Sequence, residues 1–274
     1  MTARIRVWST RHLSFAGRLV LVKSVLMSIH VYWCQIIFIP KQIIKELEAV
    51  FRSFLWTGKS LMNGAGAVAW EKLCCPKKSG GLGLVSIPYW NAAAMVKHAP
   101  MSGSWYWRKM VDLKERIKDC VQHNTFSTTN YKIVEELNWF NPNWEKVSWS
   151  NEVWSRLNIP KHSFLLWLAM LNKLKTRDRL FKHGYIDGAE CIFCNNVAET
   201  TNHLFFECYF GTECLKQVKE WLGWHTTAAA LTGLLKWVRK ARCSSFKKKV
   251  LAAGMAALVY CIWIARNELV WNTK

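Results

Sequence analysis

Apolar residues recur at intervals of three and four along the first part of the chain, which is the spacing of one helix face. Ser14 can cap a first helix, and this helix should end before Pro40. Its apolar positions are Leu19, Val22, Leu26, Ile29 and Trp33. Pro40 suits the first turn of a second helix, for which Gly58 offers the stop. The second stripe comprises Ile43, Leu47, Val50, Phe51, Phe54 and Leu55. The pattern predicts a helical hairpin.

The rest of the chain is also mainly helical by pattern. Residues 68–73 predict a short strand, followed by the turn-rich stretch 76–83. Thr176 can cap a short helix that ends near Gly184. After residue 215 the pattern is helical to the end, with breaks at 224–227 and at Ser244. Further helices are predicted over 89–97, 105–120, 149–157 and 160–172. The expected fold class is mainly α.

The charge balance predicts a polyanionic partner. The 274 residues are 51% hydrophobic, so a packed core is expected, and 38 Lys and Arg against 18 Asp and Glu give a formal net charge of +20. Such an excess is typical of proteins that contact a polyanion. No two Asp residues are adjacent, so two-metal phosphoryl-transfer chemistry has few candidate ligands.

The N-terminal cations are the first candidates for phosphate contacts, because residues 1–45 contain no Asp or Glu. Aromatic side chains beside cations are candidates for base stacking. The residues predicted to contact nucleic acid are Arg4, Arg6, Arg11, Arg18, Lys23, Trp105, Trp107, Arg108 and Lys109. The alternative is a solvated basic surface. Lys247, Lys248 and Lys249 lie in a different region, and we expect them to matter less.

Cations interrupt the first 25 residues, so no signal-peptide core is found there, and we expect an intracellular protein, nuclear or cytoplasmic. Scattered cysteines favour reduced thiols and metal binding over disulfides. Residues 250–265 form an uncharged run shorter than a membrane span needs, which favours a buried C-terminal helix over a membrane-associated one.

The strongest chemical signal is a group of three cysteines and a histidine. Cys191 and Cys194 flank two residues, and His203 and Cys208 follow after a gap of eight. These four can complete a tetrahedron around a structural zinc ion. His203 and Cys208 are about 140° apart on an ideal helix, so Cys208 must lie where the helix frays or ends. The alternative is a set of core thiols beside a chance histidine, and Cys214 or His183 could replace a misassigned ligand.

Residues 149–222 resemble the zinc-binding region that follows the reverse transcriptase in plant non-LTR (LINE-type) retrotransposon polyproteins. The motifs are Val153-Trp154, Pro160-Lys161, Phe164 to Ala169, Leu174 to Leu180, Cys191-Ile-Phe-Cys194, Glu199-Thr200, His203-Leu-Phe-Phe-Glu-Cys208 and Trp221 to Gly223. The resemblance implies that Cys191, Cys194, His203 and Cys208 hold zinc.

Residues 8–98 resemble the segment just upstream in the same polyproteins, which corresponds to a thumb or connection. The motifs are Leu13 to Arg18, Lys23 to Leu26, Phe54 to Gly58, Val68 to Trp70, Cys75 to Lys77, Gly80 to Gly83 and Trp90 to Ala92. The family's polymerase centre holds magnesium on an Asp-Asp pair, and this sequence contains none. We therefore expect no enzymatic activity.

The resulting hypothesis is a non-catalytic, zinc-containing fragment that binds RNA or DNA and takes no small-molecule substrate. Its expected divisions are a thumb-like helical region (1–100), a middle helix and linker (101–145), the reverse transcriptase zinc-binding domain (146–225) and a C-terminal helical segment (226–274). One alternative is a protein-interaction module that presents apolar and aromatic surface. Another is a nonfunctional product of a degenerate retroelement.

Overall fold

A computed structural model of the chain describes residues 5, 8, 13–34, 36–61, 66–97 and 144–272. These residues are mainly helical, which confirms the predicted fold class. The chain divides into two compact units, Met1–Lys146 and Val147–Lys274. Among the residues described, β pairing is limited to one isolated antiparallel bridge between Glu190 and Ala198. Residues 101–143 of the predicted middle helix and linker (101–145) lie outside the described residues.

The first unit begins with the predicted helical hairpin. Its helices are α1 (Phe15–Leu21), a π-helical segment (Val22–Leu26), α2 (Met27–Cys34) and α3 (Lys41–Thr57). The Ser14 hydroxyl accepts a hydrogen bond from the Gly17 backbone N–H at 3.2 Å, as expected of an N-cap. Gly58 ends α3 with a φ of 77°, a conformation that glycine adopts without strain.

The predicted apolar stripe of the first helix is correct only up to the π-helical segment. Leu19, Val22 and Leu26 are buried, but Trp33 is 52% exposed, and the stripe continues instead through Met27, His30 and Cys34. A π turn inserts one extra residue into the helical repeat. It therefore shifts the buried face by one position, from Ile29 and Trp33 to His30 and Cys34.

The predicted strand at 68–73 is wrong. The chain forms the helix α4 (Trp70–Cys74) instead. The Leu73 N–H donates to the Ala69 carbonyl at a distance of 3.2 Å, which is the bond of a helical turn. Val68, Trp70 and Leu73 are buried, and their spacing suits a helix as well as a strand. A 3₁₀ turn (Lys77–Ser79) and α5 (Ile87–Lys97) follow. The helix predicted over 89–97 is confirmed.

A buried asparagine in α5 fastens the end of α2. The Asn91 Nδ2 donates to the Cys34 carbonyl at 3.0 Å and to the Ile37 carbonyl at 2.8 Å. Its Oδ1 accepts from the Ile39 N–H at 3.0 Å. One side chain thus satisfies backbone groups that the end of the helix leaves without a partner.

The second unit is built around a buried helix and a long C-terminal helix. Its elements are α6 (Ser150–Val153), α7 (Pro160–Met170), α8 (Arg177–Lys182), a π-helical turn (His203–Glu207), α9 (Tyr209–Trp221), α10 (Leu231–Lys240) and α11 (Ser245–Asn272). Every residue of α7 from Ser163 to Ala169 is buried, and α7 packs against α11. The breaks near 224–227 and Ser244 are confirmed. The helix predicted over 149–157 is a single turn.

Two helical stretches, Phe15–Cys34 and Ser245–Val270, are long and apolar enough to cross a membrane by length and composition alone. Helix α11 extends well beyond the uncharged run at 250–265, so the helix reaches the length of a span although that run alone does not. Core helices of soluble proteins meet the same criterion. Leu251, Met255, Val259 and Ile262 of α11 are buried inside the second unit.

Candidate metal centre

The first two candidate ligands lie on a tight turn between α8 and the π-helical turn. The Cys191 N–H donates to the Val197 carbonyl and the Asn195 N–H donates to the Cys191 carbonyl, both at 2.8 Å. Asn195 has a φ of 51°, a left-handed conformation that asparagine tolerates better than most residues. The turn brings the Cys191 and Cys194 thiols to the same side.

The other two candidate ligands are joined by the π-helical turn. The Cys208 N–H donates to the His203 carbonyl at 2.7 Å, a bond that spans five residues. Cys208 itself has extended backbone (φ −65°, ψ 140°) and starts α9. Because the wide turn and the helix end replace a regular α-helix, His203 and Cys208 lie close together despite their spacing. Cys208 lies at a helix end, as the spacing predicted.

The four side chains form one compact cluster. Their ligand atoms all lie within 4.8 Å of one another. The Cys194 sulfur is 3.3 Å from the His203 Nε2, and the Cys191 and Cys208 sulfurs are 3.9 Å apart. A tetrahedral zinc ion requires about 3.5 Å between a sulfur and a nitrogen ligand and about 3.8 Å between two sulfurs. The donor set and the two contacts therefore fit a structural metal site.

The two thiols of the turn differ in acidity. Burial raises the pKa of the Cys191 thiol to about 12. The Asn196 backbone N–H donates to the Cys194 sulfur and lowers the pKa of Cys194 to about 6. Cys194 therefore ionises more readily than Cys191. A metal that binds here requires its cysteine ligands as thiolates, so its affinity should fall at low pH.

Two groups beside the cluster contact the histidine. The His203 backbone N–H donates to the Thr200 hydroxyl at 3.0 Å. The second ring nitrogen, Nδ1, lies 3.8 Å from the Glu207 carboxylate. A carboxylate facing the nitrogen that does not bind the metal is a common feature of metal-bound histidines, because it fixes the tautomer.

A buried ion pair that sequence reasoning missed connects the ligand-bearing loop to α11. The Arg266 guanidinium donates to both Glu199 carboxylate oxygens, with a shortest distance of 2.7 Å, and neither side chain is more than 4% exposed. The Arg177 backbone N–H also donates to Glu199 at 2.9 Å. A signal was present in the sequence, since Arg266 continues the buried stripe Met255, Val259 and Ile262 at helical spacing.

The other predicted site residues lie elsewhere. Within the described part of the chain, neither Cys214 nor His183 belongs to the cluster. The Lys23 ammonium donates to the Leu82 carbonyl at 2.5 Å, and burial, then the nearby Lys77 charge, lowers the pKa of Lys23 to about 8. The Arg18 guanidinium lies 5.2 Å from the centre of the Phe15 ring. Outside the described residues lie Arg4, Arg6, Arg11, Trp105, Trp107, Arg108 and Lys109.

Gly211 allows α9 to pass close to the π-helical turn. A Cβ at this position would lie 2.4 Å from the Leu204 carbonyl oxygen and 2.9 Å from that of Phe205. Because both are backbone atoms, Gly211→Ala should lower the free energy of unfolding of the second unit by about 1 to 3 kcal/mol. Gly233→Ala in α10 is the control, since its nearest neighbour is 3.4 Å away. Chemical denaturation should show Gly233→Ala unchanged or more stable, and equal effects would contradict the packing argument.

The segment that holds the cluster is similar to known proteins. Residues 126–214 match the family described as zinc-binding in reverse transcriptase, and all four cluster residues lie inside the match. A protein of Arabidopsis thaliana named as a ribonuclease H protein is 38% identical over 97 residues, which are 35% of this chain and 16% of that protein. No solved structure matches the chain. These similarities support the conclusion that the protein is derived from a retroelement.

Proposed function

We propose that the chain is a non-catalytic, zinc-containing, nucleic-acid-binding fragment of a reverse transcriptase from a plant retrotransposon of the non-LTR (LINE) type. The observation that carries this proposal is the Cys191, Cys194, His203 and Cys208 cluster inside a segment similar to reverse transcriptase zinc-binding domains. In this proposal residues 1–100 act as a thumb-like region, and the protein works in a reducing intracellular compartment.

Zinc would serve as a structural staple. Three cysteines and one histidine fill all four tetrahedral positions, so no position remains for water or substrate. The ion would join the tight turn at 191–194 to the π-helical turn and the start of α9. Its binding energy would then contribute directly to folding of the second unit.

Nucleic acid is the proposed partner, with RNA and DNA both considered. A net charge of +20 provides the attraction to phosphates. The matched family's description places such domains in reverse transcriptases, which is the reason to favour nucleic acid over other polyanions. We propose no polymerase, nuclease or hydrolase activity, because the sequence lacks an Asp-Asp pair.

Metal content and nucleic-acid binding test this function together. The purified full-length chain should contain one zinc per chain by elemental analysis. It should bind fluorescein-labelled duplex DNA or an RNA hairpin in fluorescence anisotropy, with log affinity falling linearly with log salt. Absence of zinc, or of binding at low salt, would contradict the proposal, as would template-dependent nucleotide incorporation. An affinity that is insensitive to salt would instead favour the protein-interaction alternative.

A further inference from the structure

The second unit carries a dense group of cations, which includes the three lysines at 247–249 that were expected to matter less than the N-terminal cations. From Trp221 to Asn267 the chain contains no Asp or Glu. We define the α10–α11 corner by seven cations around the end of one helix and the start of the next: Lys236, Arg239, Lys240, Arg242, Lys247, Lys248 and Lys249. All except the half-buried Lys248 are exposed.

The fold brings these cations together. Helix α10 ends at Lys240 and α11 begins at Ser245, so only four residues separate the two helices. The Lys248 ammonium donates to the Arg239 carbonyl at 2.9 Å and ties the first turn of α11 to the last turn of α10. Arg239 in turn donates to the Ser148 carbonyl at 2.8 Å. The corner is therefore a fixed surface with charges on two helices.

Within the part of the chain that the structure describes, the charges of the corner are not neutralised by carboxylates. Among the described residues, none of the seven cations forms an ion pair with Asp or Glu. Lys247, Lys248 and Lys249 also lie within the first five residues of a 28-residue helix whose first turn has no acidic residue. Cations at a helix N-terminus oppose the helix dipole and reduce stability. The Ser244 hydroxyl caps this helix by accepting from the Lys247 N–H at 3.1 Å, and Lys248 donates to the end of α10. The charges of Lys247 and Lys249 have no such compensation among the described residues, which points to a function for them.

Apolar and aromatic groups accompany the charges. A cavity of about 300 Å³ beside the corner is lined by Trp149, Leu235, Lys236 and Arg239 among others. Phe246, next to the lysine run, is 68% exposed. Cations that surround aromatic side chains suit a nucleic-acid backbone with bases beside it better than they suit isolated anions.

We propose that the α10–α11 corner is the phosphate-contacting surface of the second unit and that its partner is a nucleic-acid backbone. The proposal rests on the proposed nucleic-acid-binding function and assigns it a location. It differs from the expectation that the N-terminal cations dominate. Lys23 is tied to a backbone carbonyl, whereas Lys240, Lys247 and Lys249 are exposed and donate no side-chain hydrogen bond within the described structure.

The test compares salt dependence of binding in full-length, zinc-loaded variants. The corner variant Lys240→Gln/Lys247→Gln/Lys249→Gln leaves Lys248 in place, because Lys248 holds the two helices together. Its slope of log affinity against log salt for labelled duplex DNA should be about 2 to 3 units shallower than the wild-type slope. A second variant, Lys236→Gln/Arg242→Gln, should flatten the slope by about 2 units. The second variant also allows the location to be tested if the first variant fails to fold.

The matched control is Lys59→Gln/Lys175→Gln/Lys216→Gln, which removes the same charge from three scattered exposed positions. Control and corner variants that flatten the slope equally would overturn the location, as would corner variants with the wild-type slope. No binding by the wild type would overturn the proposed function itself. The last comparison uses vesicles of phosphatidylserine and phosphatidylcholine. Corner variants that lose vesicle binding but bind DNA as the wild type does would overturn nucleic acid as the partner of the corner.

Discussion

The variant His203→Ala is expected to lose zinc and to unfold the ligand-bearing part of the second unit. Structural zinc contributes about 10 to 16 kcal/mol of apparent binding free energy in small zinc domains, which is comparable to the total stability of a domain, about 5 to 15 kcal/mol. Hydrogen exchange should therefore show lost protection over residues 150–223. The helices at 14–56 should keep their protection, because they belong to the other compact unit.

The control for the zinc prediction is Cys261→Ser, which changes an exposed cysteine outside the cluster. It should keep one zinc per chain and the wild-type exchange pattern, whereas Cys194→Ser should behave like His203→Ala. A His203→Ala protein with full zinc content and unchanged protection would show that the cluster is not the zinc site. Chelation of the wild type with EDTA should reproduce the variant's exchange pattern, since ligand loss and metal loss remove the same staple.

The sequence predicted elements whose signals are local. Ser14 and Gly58 mark helix ends by capping chemistry, and both act as predicted. The spacing of Cys191, Cys194, His203 and Cys208 is unusual enough to select four residues that the structure brings together. Their role as zinc ligands stays a prediction, as do the domain boundaries and the N-terminal phosphate contacts.

The errors arise where tertiary structure changes a local rule. The π-helical segment at 22–26 shifts the buried face of the first helix by one residue. A prediction that assumes a regular helical repeat does not include this extra residue. The spacing of the apolar residues at 68–73 is compatible with a strand or a helix. In the folded first unit these residues form a helix. The pair between Arg266 and Glu199 joins side chains 67 residues apart in the chain, so no local rule predicts it. Long-range pairing of this kind leaves only the weak signal of a cation on a buried stripe.

The buried ion pair between Arg266 and Glu199 is expected to contribute strongly to the stability of the second unit. Arg266→Met should lower the free energy of unfolding of the second unit by about 3 to 5 kcal/mol, because it leaves the buried Glu199 carboxylate without its cation. Within the described structure, the Arg177 N–H alone would remain as a donor to that carboxylate. Urea unfolding followed by tryptophan fluorescence measures the loss, and the matched control is Arg242→Met at an exposed arginine. Equal stability of Arg266→Met and the control would contradict a stabilising pair.

The double variant Glu199→Gln/Arg266→Met distinguishes an unpaired charge from lost packing. Gln at 199 keeps an oxygen that can accept from the Arg177 N–H but carries no charge, so the double variant should be more stable than Arg266→Met alone. Glu199 lies in the loop between Cys194 and His203, so the same pair also ties α11 to the proposed zinc ligands. Arg266→Met should therefore lose zinc to EDTA faster than the wild type, and the double variant should recover part of that difference. Zinc loss at the wild-type rate in Arg266→Met would show that the loop holds its ligands without α11.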